Sequence, residues 1–309
     1  MIKEAKISHE TNDTRDGLIA AFFAYLMWGL LPIYFKVLGD VAALEVLVHR
    51  IVWAVPFGAL IILWRHQWPE VKRALTHGRM FGLLTIAALL IAGNWFAYIW
   101  AVQKDQIFQA SLGYYINPLL FTVAGVFVLG EKLRNFQIAA VLLAAAGVLV
   151  LTFSGGQFPA IALFLATSFT IYGVIRKRVV IGGMPGLFIE TLVLFPFSAA
   201  YLLWILNAGA SAFSLDDPAM MGILLLAGPV TVVPLLCFAL AARRLNLSTV
   251  GFMQFIAPTM QFFIGLIYGE ELTTAHVVCF SLIWVAVALF SWDAWRVSRM
   301  DEPVVGQVK

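Results

Sequence analysis

Three ionisable side chains interrupt stretches of the sequence that are otherwise apolar. His49 and Arg50 lie within "LEVLVHRIVWAV", and Glu190 lies within "GLFIETLVLF". If these stretches are membrane helices, a charge inside them is costly and usually marks a substrate or ion pathway. We therefore predict that all three are gate or coupling residues, with Arg50 recognising an anionic group and Glu190 serving as a proton site. The alternative is structural: an ion pair, for example with Glu45, or a side chain that reaches the membrane surface.

Neutral polar and aromatic side chains recur in similar stretches, at spacings that place them on one helix face. Gln254 and Gln261 are separated by seven positions, and Asn94 and Tyr98 by four. Aromatic walls with a few amides and hydroxyls are the usual lining of a small-molecule site. The alternative is that the amides join helices by hydrogen bonds. The predicted substrate-binding residues are Tyr25, Trp28, Asn94, Tyr98, Tyr114, Asn117, Gln254 and Gln261.

Two prolines, Pro118 and Pro258, fall near the middle of apolar stretches. Proline has no backbone N–H and its ring clashes with the preceding helical turn, so we predict a helix break at each. Irregular backbone at membrane depth is tolerated only where protein or a water-filled cavity covers it. The two breaks therefore predict a central site, and the alternative is a pair of packed kinks.

The elements that must position these residues are membrane helices. The chain has 309 residues, of which 62% are hydrophobic and only 12% charged, against about one quarter charged in a soluble domain. A bilayer core needs about 20 apolar residues per helix. That length predicts an all-α integral membrane protein with ten transmembrane helices, near 17–38, 43–64, 80–102, 107–129, 135–153, 158–175, 185–206, 219–241, 248–268 and 275–296.

The basic residues predict how these helices are oriented. Lys and Arg concentrate in short cytoplasmic loops, and with ten spans, seventeen of the twenty Lys and Arg fall on one side of the membrane. Lys36 and Lys104 fall on the other side, and Arg50 lies within a span. We therefore expect both termini in the cytoplasm, and the sequence pI of about 8.9 needs no nucleic-acid partner.

The two halves of the chain resemble each other. "ASLGYYINPLLFTVAGVFVLGEKL" is similar to "STVGFMQFIAPTMQFFIGLIYGEEL", and in both the proline precedes a glutamate by 13 positions. Five spans per half is an odd number, so the second copy crosses the membrane in the opposite sense, as in many secondary transporters. The glutamates that end the fourth span of each half precede spans five and ten, whose positive helix ends we expect them to serve. The predicted organisation is a cytoplasmic tail at 1–16, five-helix repeats at 17–153 and 154–296, and a second cytoplasmic tail at 297–309.

The sequence carries no motif of soluble-enzyme chemistry. It has no Gly-x-x-x-x-Gly-Lys-Ser/Thr loop, no His-Glu-x-x-His and no Cys-x-x-Cys. We therefore expect no enzyme activity, no cofactor and no bound metal. Besides a secondary transporter, two function classes stay open. One is a non-transporting membrane partner or receptor subunit. The other is a membrane-embedded enzyme, for which His49, Arg50 and Glu45 would have to form the site.

The chain resembles the EamA family of the drug/metabolite transporter superfamily. The resemblance rests on the five-plus-five inverted repeat and on "YFKVL", "HRIVW", "GNWFAYIWAV", "ASLGYYINP", "LGEKLR" and "STVGF", and it spans about 17–295. It implies a permease of the bacterial inner membrane, of a kind usually described as an exporter or exchanger of metabolites, with its path between the halves. It leaves open the substrate, the direction of transport, the energy coupling and the oligomeric state. The face formed by Ala140, Ala144 and Gly147 could serve a homodimer or only the fold.

Overall fold

The computed structural model describes the backbone of residues 2–129, 134–156, 158–245 and 247–300, and side chains over 14–127, 134–156, 158–245, 249–251 and 253–297. Within these residues every regular element is a helix. Ten of the helical segments are long and apolar enough to cross a bilayer, as the sequence predicts. The helices that contain these spans are Ile2–Val37, Ala43–Trp64, Gly78–Gln103, Ile107–Leu129, Asn135–Phe153, Ala160–Arg178, Gly183–Asn207, Pro218–Leu225 with Ala227–Ala241, Leu247–Met253 with Ile256–Ile267, and Thr274–Met300, and the first candidate span within them begins at Thr14.

We number these spans one to ten in chain order. A further short helix, Trp68–Thr76, lies between spans two and three and was not predicted from the sequence. Its residues Val71 and Ala74 are buried, while Lys72, Arg73 and Leu75 are exposed. The connection is therefore packed against the protein on one side.

The main packed pairs of spans recur when the first five spans are exchanged with the last five. Spans two and seven, four and nine, and five and ten each pack on their own counterpart. Span one packs on span eight, and the exchanged pair, spans six and three, also packs together. Span four packs on span six, and the exchanged pair, spans nine and one, does the same. This exchange is what a two-fold axis in the membrane plane produces, and it supports the five-plus-five inverted repeat.

Spans five and ten form the pair that uses the small-residue face. Ala140 and Ala144 are buried there, and a Cβ added at Gly147 would lie 3.1 Å from the carbonyl oxygen of Cys279. At one end of the pair, Arg134 Nε donates to Asp293 Oδ2 over 2.7 Å. The face therefore serves the fold of a single chain, which is the second of the two roles left open by the sequence.

The two central prolines behave differently. Span nine is interrupted at residues 254–255, just before Pro258. Span four runs without interruption from Ile107 to Leu129 with Pro118 inside it, so the predicted break there was wrong. A helix can continue through a proline when a kink absorbs the clash.

The hydroxyl groups near the two prolines have both shared and different partners. In span nine, side chains from other spans donate to the backbone: Tyr25 Oη to Val250 O over 3.2 Å, and Ser111 Oγ to Pro258 O over 2.8 Å. In span four, the Pro118 carbonyl instead accepts from Thr122 Oγ1 of the same helix, over 2.9 Å. Span nine has the matching contact within its own helix, from Thr259 Oγ1 to Phe255 O over 2.6 Å, so it is distinguished by the hydroxyls that it receives from spans one and four as well.

A candidate substrate site around Arg50

Arg50 lies in span two, where the spans of both halves converge, and only 4% of its surface is exposed. Its Nε donates to Thr231 Oγ1 of span eight over 3.1 Å. Its guanidinium carbon lies 4.4 Å from the ring centroid of Trp95 in span three and 5.4 Å from that of Phe35 in span one. Among the described side chains, no carboxylate lies within 4 Å of it. The ion pair with Glu45 that the sequence left open is therefore not formed.

Three tyrosines complete the surroundings of Arg50, and its charge acts on the hydroxyls of Tyr34, Tyr98 and Tyr114. The ring centroid of Tyr98 lies 5.5 Å from that of Tyr114 in span four and 5.8 Å from that of Phe35. Tyr34 Oη donates to the carbonyl of Ile223 over 2.9 Å. The buried Tyr98 hydroxyl has no hydrogen-bond partner among the described residues. We call this group the Arg50 box: Tyr34, Phe35, Trp95, Tyr98 and Tyr114 around Arg50, with Thr231 on its Nε.

Sequence reasoning found part of the box. It selected Arg50, Tyr98 and Tyr114, and the structure brings these three together. It missed Trp95, which lies three residues before Tyr98 and so shares its helix face, a signal that the spacing contained. It also missed Thr231, because a threonine in an apolar span has no sequence signature of its own.

Asn94 joins two helices. Its Nδ2 donates to Leu165 O and to Ser168 Oγ, both over 2.9 Å, so it links span three to span six. This is the helix-joining role that the sequence left open for the amides. Its Oδ1 is buried without a partner among the described residues, as is Oδ1 of Asn117 in span four.

The remaining predicted binding residues lie between spans one and nine. Gln261 Nε2 donates to the carbonyl of Trp28 over 3.1 Å, while its Oε1 is buried without a partner in the described part of the chain. The rings of Tyr25 and Trp28 meet edge to face at 5.5 Å. Gln254 lies in the interruption of span nine and is partly exposed. This second group joins the two spans across the opened helix.

His49 faces the loop between spans seven and eight. Its Nδ1 accepts from Trp53 Nε1 over 2.9 Å, and its Nε2 lies 3.9 Å from Glu45 Oε1. The same carboxylate oxygen accepts from Ser211 Oγ over 2.6 Å and from the Ala212 N–H over 2.8 Å. Glu45 therefore ties this loop to span two, and His49 packs beside it.

Glu190 is fully buried and forms an ion pair. Its Oε1 lies 3.5 Å from Arg176 Nε, and its Oε2 accepts from Tyr172 Oη over 3.1 Å. A Cβ added at Gly186 would lie 2.0 Å from Arg176 Nη1, so a larger residue there would force this arginine to move away from its present position. Arg176 was predicted as a topology signal in a loop; it lies in the last turn of span six and compensates a buried charge.

Glu270 caps a helix, but a different one from that expected. Its two carboxylate oxygens accept from the backbone N–H groups of Ile107 and, over 2.8 Å, Phe108, at the start of span four. A carboxylate at a helix N-terminus is stabilised by unpaired N–H groups and the helix dipole. Burial raises the pKa of this carboxyl, and the two backbone hydrogen bonds oppose that shift. Glu131, which follows a glycine in the first repeat as Glu270 does in the second, lies outside the described residues.

Comparison with known proteins identifies the family. Residues 15–153 match the EamA-like transporter family. The chain is 44% identical to an uncharacterized transporter of Vibrio cholerae over 93% of this chain and 95% of that protein. It is 42% identical to protein RarD of Escherichia coli strain K12, over 94% and 98% respectively. The chain belongs to the EamA transporter family. It is therefore a multi-pass integral membrane protein of a transporter family.

A solved structure and a more distant relative add to these comparisons. A solved crystal structure superposes with a TM-score of 0.59 over 91% of this chain and 99% of that one, at 19% identity, which shows a shared fold. A Pseudomonas aeruginosa protein named chloramphenicol-sensitive protein RarD is 27% identical over 92% of this EamA-family chain and 96% of that protein. The family and these names indicate transport rather than enzyme catalysis.

Proposed function

We propose that this EamA-family protein is a secondary carrier that exports a small metabolite or drug-like molecule across the bacterial inner membrane, by alternating access around a midplane site. The observation that carries the proposal is the Arg50 box. It is built from spans one, two, three and four of the first half and span eight of the second. Carriers with inverted repeats bind their substrates at the interface between the repeats.

The unpartnered groups of the box support a binding role. A buried polar group without a partner costs free energy, so such groups are rare unless water or a ligand meets them. Tyr98 Oη is unpartnered, and Arg50 has no carboxylate within 4 Å in the described part of the chain. The Tyr98 hydroxyl and the Arg50 charge are therefore available to bind a ligand.

The contact between Arg50 and Thr231 suggests how access alternates. Arg50 belongs to the first half and Thr231 to the second, and the 3.1 Å hydrogen bond joins them. Rocking of one half against the other changes this distance, whereas the stacking of Arg50 on Phe35 and Trp95 stays within one half. The carrier would thus open the box from the side of span eight.

The cytoplasmic placement of both termini belongs to the same proposal. It rests on the seventeen of twenty Lys and Arg on one side of ten spans. Reporter enzymes that work on only one side of the membrane, fused after residues 73, 104 and 178, test it. We expect cytoplasmic reporter activity after 73 and 178 and external reporter activity after 104.

The proposed transport function is tested by comparing the compounds that cells release. One strain carries the wild-type protein, one Trp95→Leu, and one Lys104→Gln as an exposed control, all at matched membrane abundance. We expect at least one compound, chemically unchanged, to be released by the wild type and the control but not by Trp95→Leu. Chloramphenicol-like compounds belong in the search because of the name of the Pseudomonas relative.

The second arm uses purified protein in liposomes, where uptake of the released compound is compared with empty liposomes. If neither release nor uptake depends on the wild-type protein, the chain does not act as a carrier. The fold would then belong to the non-transporting partner or receptor subunit that the sequence left open.

A further inference from the structure

We infer that the cargo carries a single carboxylate, which Arg50 binds through the free edge of its guanidinium. This inference rests on the proposed function, since it names the chemical class that the same site takes. It goes further because it specifies the charge of the cargo, the contact that holds the cargo, and the residue that recognises it.

The first argument is charge compensation. Two other buried carboxylates pair with an arginine: Glu190 with Arg176 at 3.5 Å, and Asp293 with Arg134 at 2.7 Å. Arg50 has aromatic rings and one threonine hydroxyl instead. A buried arginine without a counter-charge is unfavourable. A bound anion supplies that charge, and a cationic cargo would be repelled.

The second argument is the geometry of the guanidinium. Trp95 and Phe35 lie over the group at 4.4 and 5.4 Å from their ring centroids. Nε is occupied by Thr231. The two terminal nitrogens find no acceptor among the described residues, and their N–H groups form the fork that matches the two oxygens of a carboxylate.

The third argument decides between carboxylate and phosphate. The box holds one uncompensated cation, because Lys36 of span one already pairs with Asp105. A carboxylate brings one negative charge and two oxygens, which one guanidinium balances. A phosphate monoester dianion would leave a second charge buried. Tyr98 Oη, which has no partner in the described part of the chain, is available to donate to the same carboxylate.

The aromatic walls decide the rest of the cargo. The rings of Tyr98 and Tyr114 lie 5.5 Å apart beside Arg50, and Phe169 meets Tyr114 edge to face at 6.5 Å. Such walls favour an apolar or aromatic body. The expected class is therefore an amphipathic monocarboxylate.

The test measures thermal stabilisation of the purified protein in detergent, because a ligand that binds only the folded state raises Tm. The probes are acetate, hexanoate, benzoate, phenylacetate and indole-3-acetate, each beside its neutral amide at equal ionic strength, with phenyl phosphate as the dianion. We expect one or more carboxylates to raise Tm well above the amide of the same shape and above phenyl phosphate. Arg50→Gln should weaken that binding by about tenfold or more, since a charge-assisted fork is lost.

Three further variants keep the result interpretable. Lys104→Gln removes one positive charge from an exposed loop and should bind as the wild type does. Arg50→Lys keeps the charge but loses the fork, so its affinity should lie between the two. Tyr98→Phe removes only the unpartnered hydroxyl and should weaken binding even if Arg50→Gln does not fold.

The outcomes separate this inference from the proposed function. Equal stabilisation by amides and carboxylates, no stabilisation by any carboxylate, or full binding by Arg50→Gln overturns the inference. Stronger stabilisation by phenyl phosphate also overturns it and assigns a dianion. A carboxylate that binds through Arg50 but is not moved into liposomes leaves the inference standing and refutes the transport function. Transport of a neutral compound that does not depend on Arg50 refutes the inference and leaves the transport function standing.

Discussion

The buried pair of Glu190 and Arg176 permits a quantitative prediction about stability. The Glu190 side chain is 1% exposed and that of Arg176 15%, and their closest charged atoms lie 3.5 Å apart. Removing one partner of a buried pair leaves the other charge uncompensated, which costs about 3–5 kcal/mol, whereas removing both is often close to neutral. We therefore expect the two single substitutions to be worse than the double one.

The two single substitutions should also differ from each other. Arg176→Gln strands the carboxylate of Glu190, which is fully buried and keeps only the Tyr172 hydroxyl. Glu190→Gln strands an arginine that is partly exposed and still donates to the carbonyl of Gly182 over 3.3 Å. We expect a loss of about 3–5 kcal/mol for Arg176→Gln and about 1–3 kcal/mol for Glu190→Gln, since partial exposure screens the stranded charge.

The assay is equilibrium unfolding in mixed micelles with a rising fraction of denaturing detergent, followed by tryptophan fluorescence. The double variant Arg176→Gln/Glu190→Gln closes the thermodynamic cycle. We expect it to lose about 2 kcal/mol or less, which gives a coupling of about 2 kcal/mol or more between the two positions. Additive single effects would refute the reasoning, because they would mean that the two side chains do not compensate each other in the folded protein.

Three further outcomes follow from single contacts. Gly186→Ala places a Cβ 2.0 Å from Arg176 Nη1, so it should destabilise the wild type by about 1–3 kcal/mol but have little effect once Arg176 is Gln. Gly147→Val should cost about 1–3 kcal/mol, because a Cβ at Gly147 already lies 3.1 Å from the Cys279 carbonyl. Glu270→Ala removes the cap of span four and should cost about 0.5–2 kcal/mol at neutral pH. The pKa of Glu270 is raised by burial. Its protonation therefore favours the folded state, fully below the unfolded pKa of about 4.3, and this gain is lost as the pH rises through the folded pKa.

Each of these outcomes is checked by the same unfolding assay. For Gly186→Ala, an equal loss in the wild-type and Arg176→Gln backgrounds would contradict the steric argument. For Gly147, the control is Gly82→Val, because a Cβ at Gly82 meets nothing within 4 Å; equal effects at both sites would mean that the span five and ten interface is loose. For Glu270, stability is measured from pH 4.5 to 7, and a wild type that gains stability relative to Glu270→Gln as the pH rises would contradict the assigned pKa direction.

Arg50 shows how far sequence reasoning reaches into the site. Its cost inside an apolar span marks it for attention without any structure, and the same argument marks Glu190. What each charge contacts is a different matter: Glu190 meets an arginine 14 residues earlier, whereas Arg50 meets aromatic rings from spans one and three and a hydroxyl 181 residues later. Pairs so distant in sequence leave no trace in local spacing.

Glu270 and the small-residue face of span five also have partners that the local sequence does not identify. A carboxylate before a helix suggests that it serves that helix, but the fold brings the start of span four to Glu270 instead. Small residues at Ala140 and Ala144 predict close helix packing, but not whether the neighbour is span ten or another chain. Local chemistry fixes what a residue can do, and packing selects the partner.

The sequence by itself determined the ten membrane spans, because the transfer of apolar side chains into a bilayer depends on local composition and length. It also determined which residues are costly at membrane depth. Only the tertiary structure decided the partners of those residues, and it opened the helix before Pro258 but not at Pro118. The physical reason is that contacts between spans depend on how the chain folds back on itself: hydroxyls of spans one and four, for example, reach the backbone of span nine. These hydroxyls are separated from their acceptors by 225 and 147 positions, so no local pattern in the sequence contains such contacts.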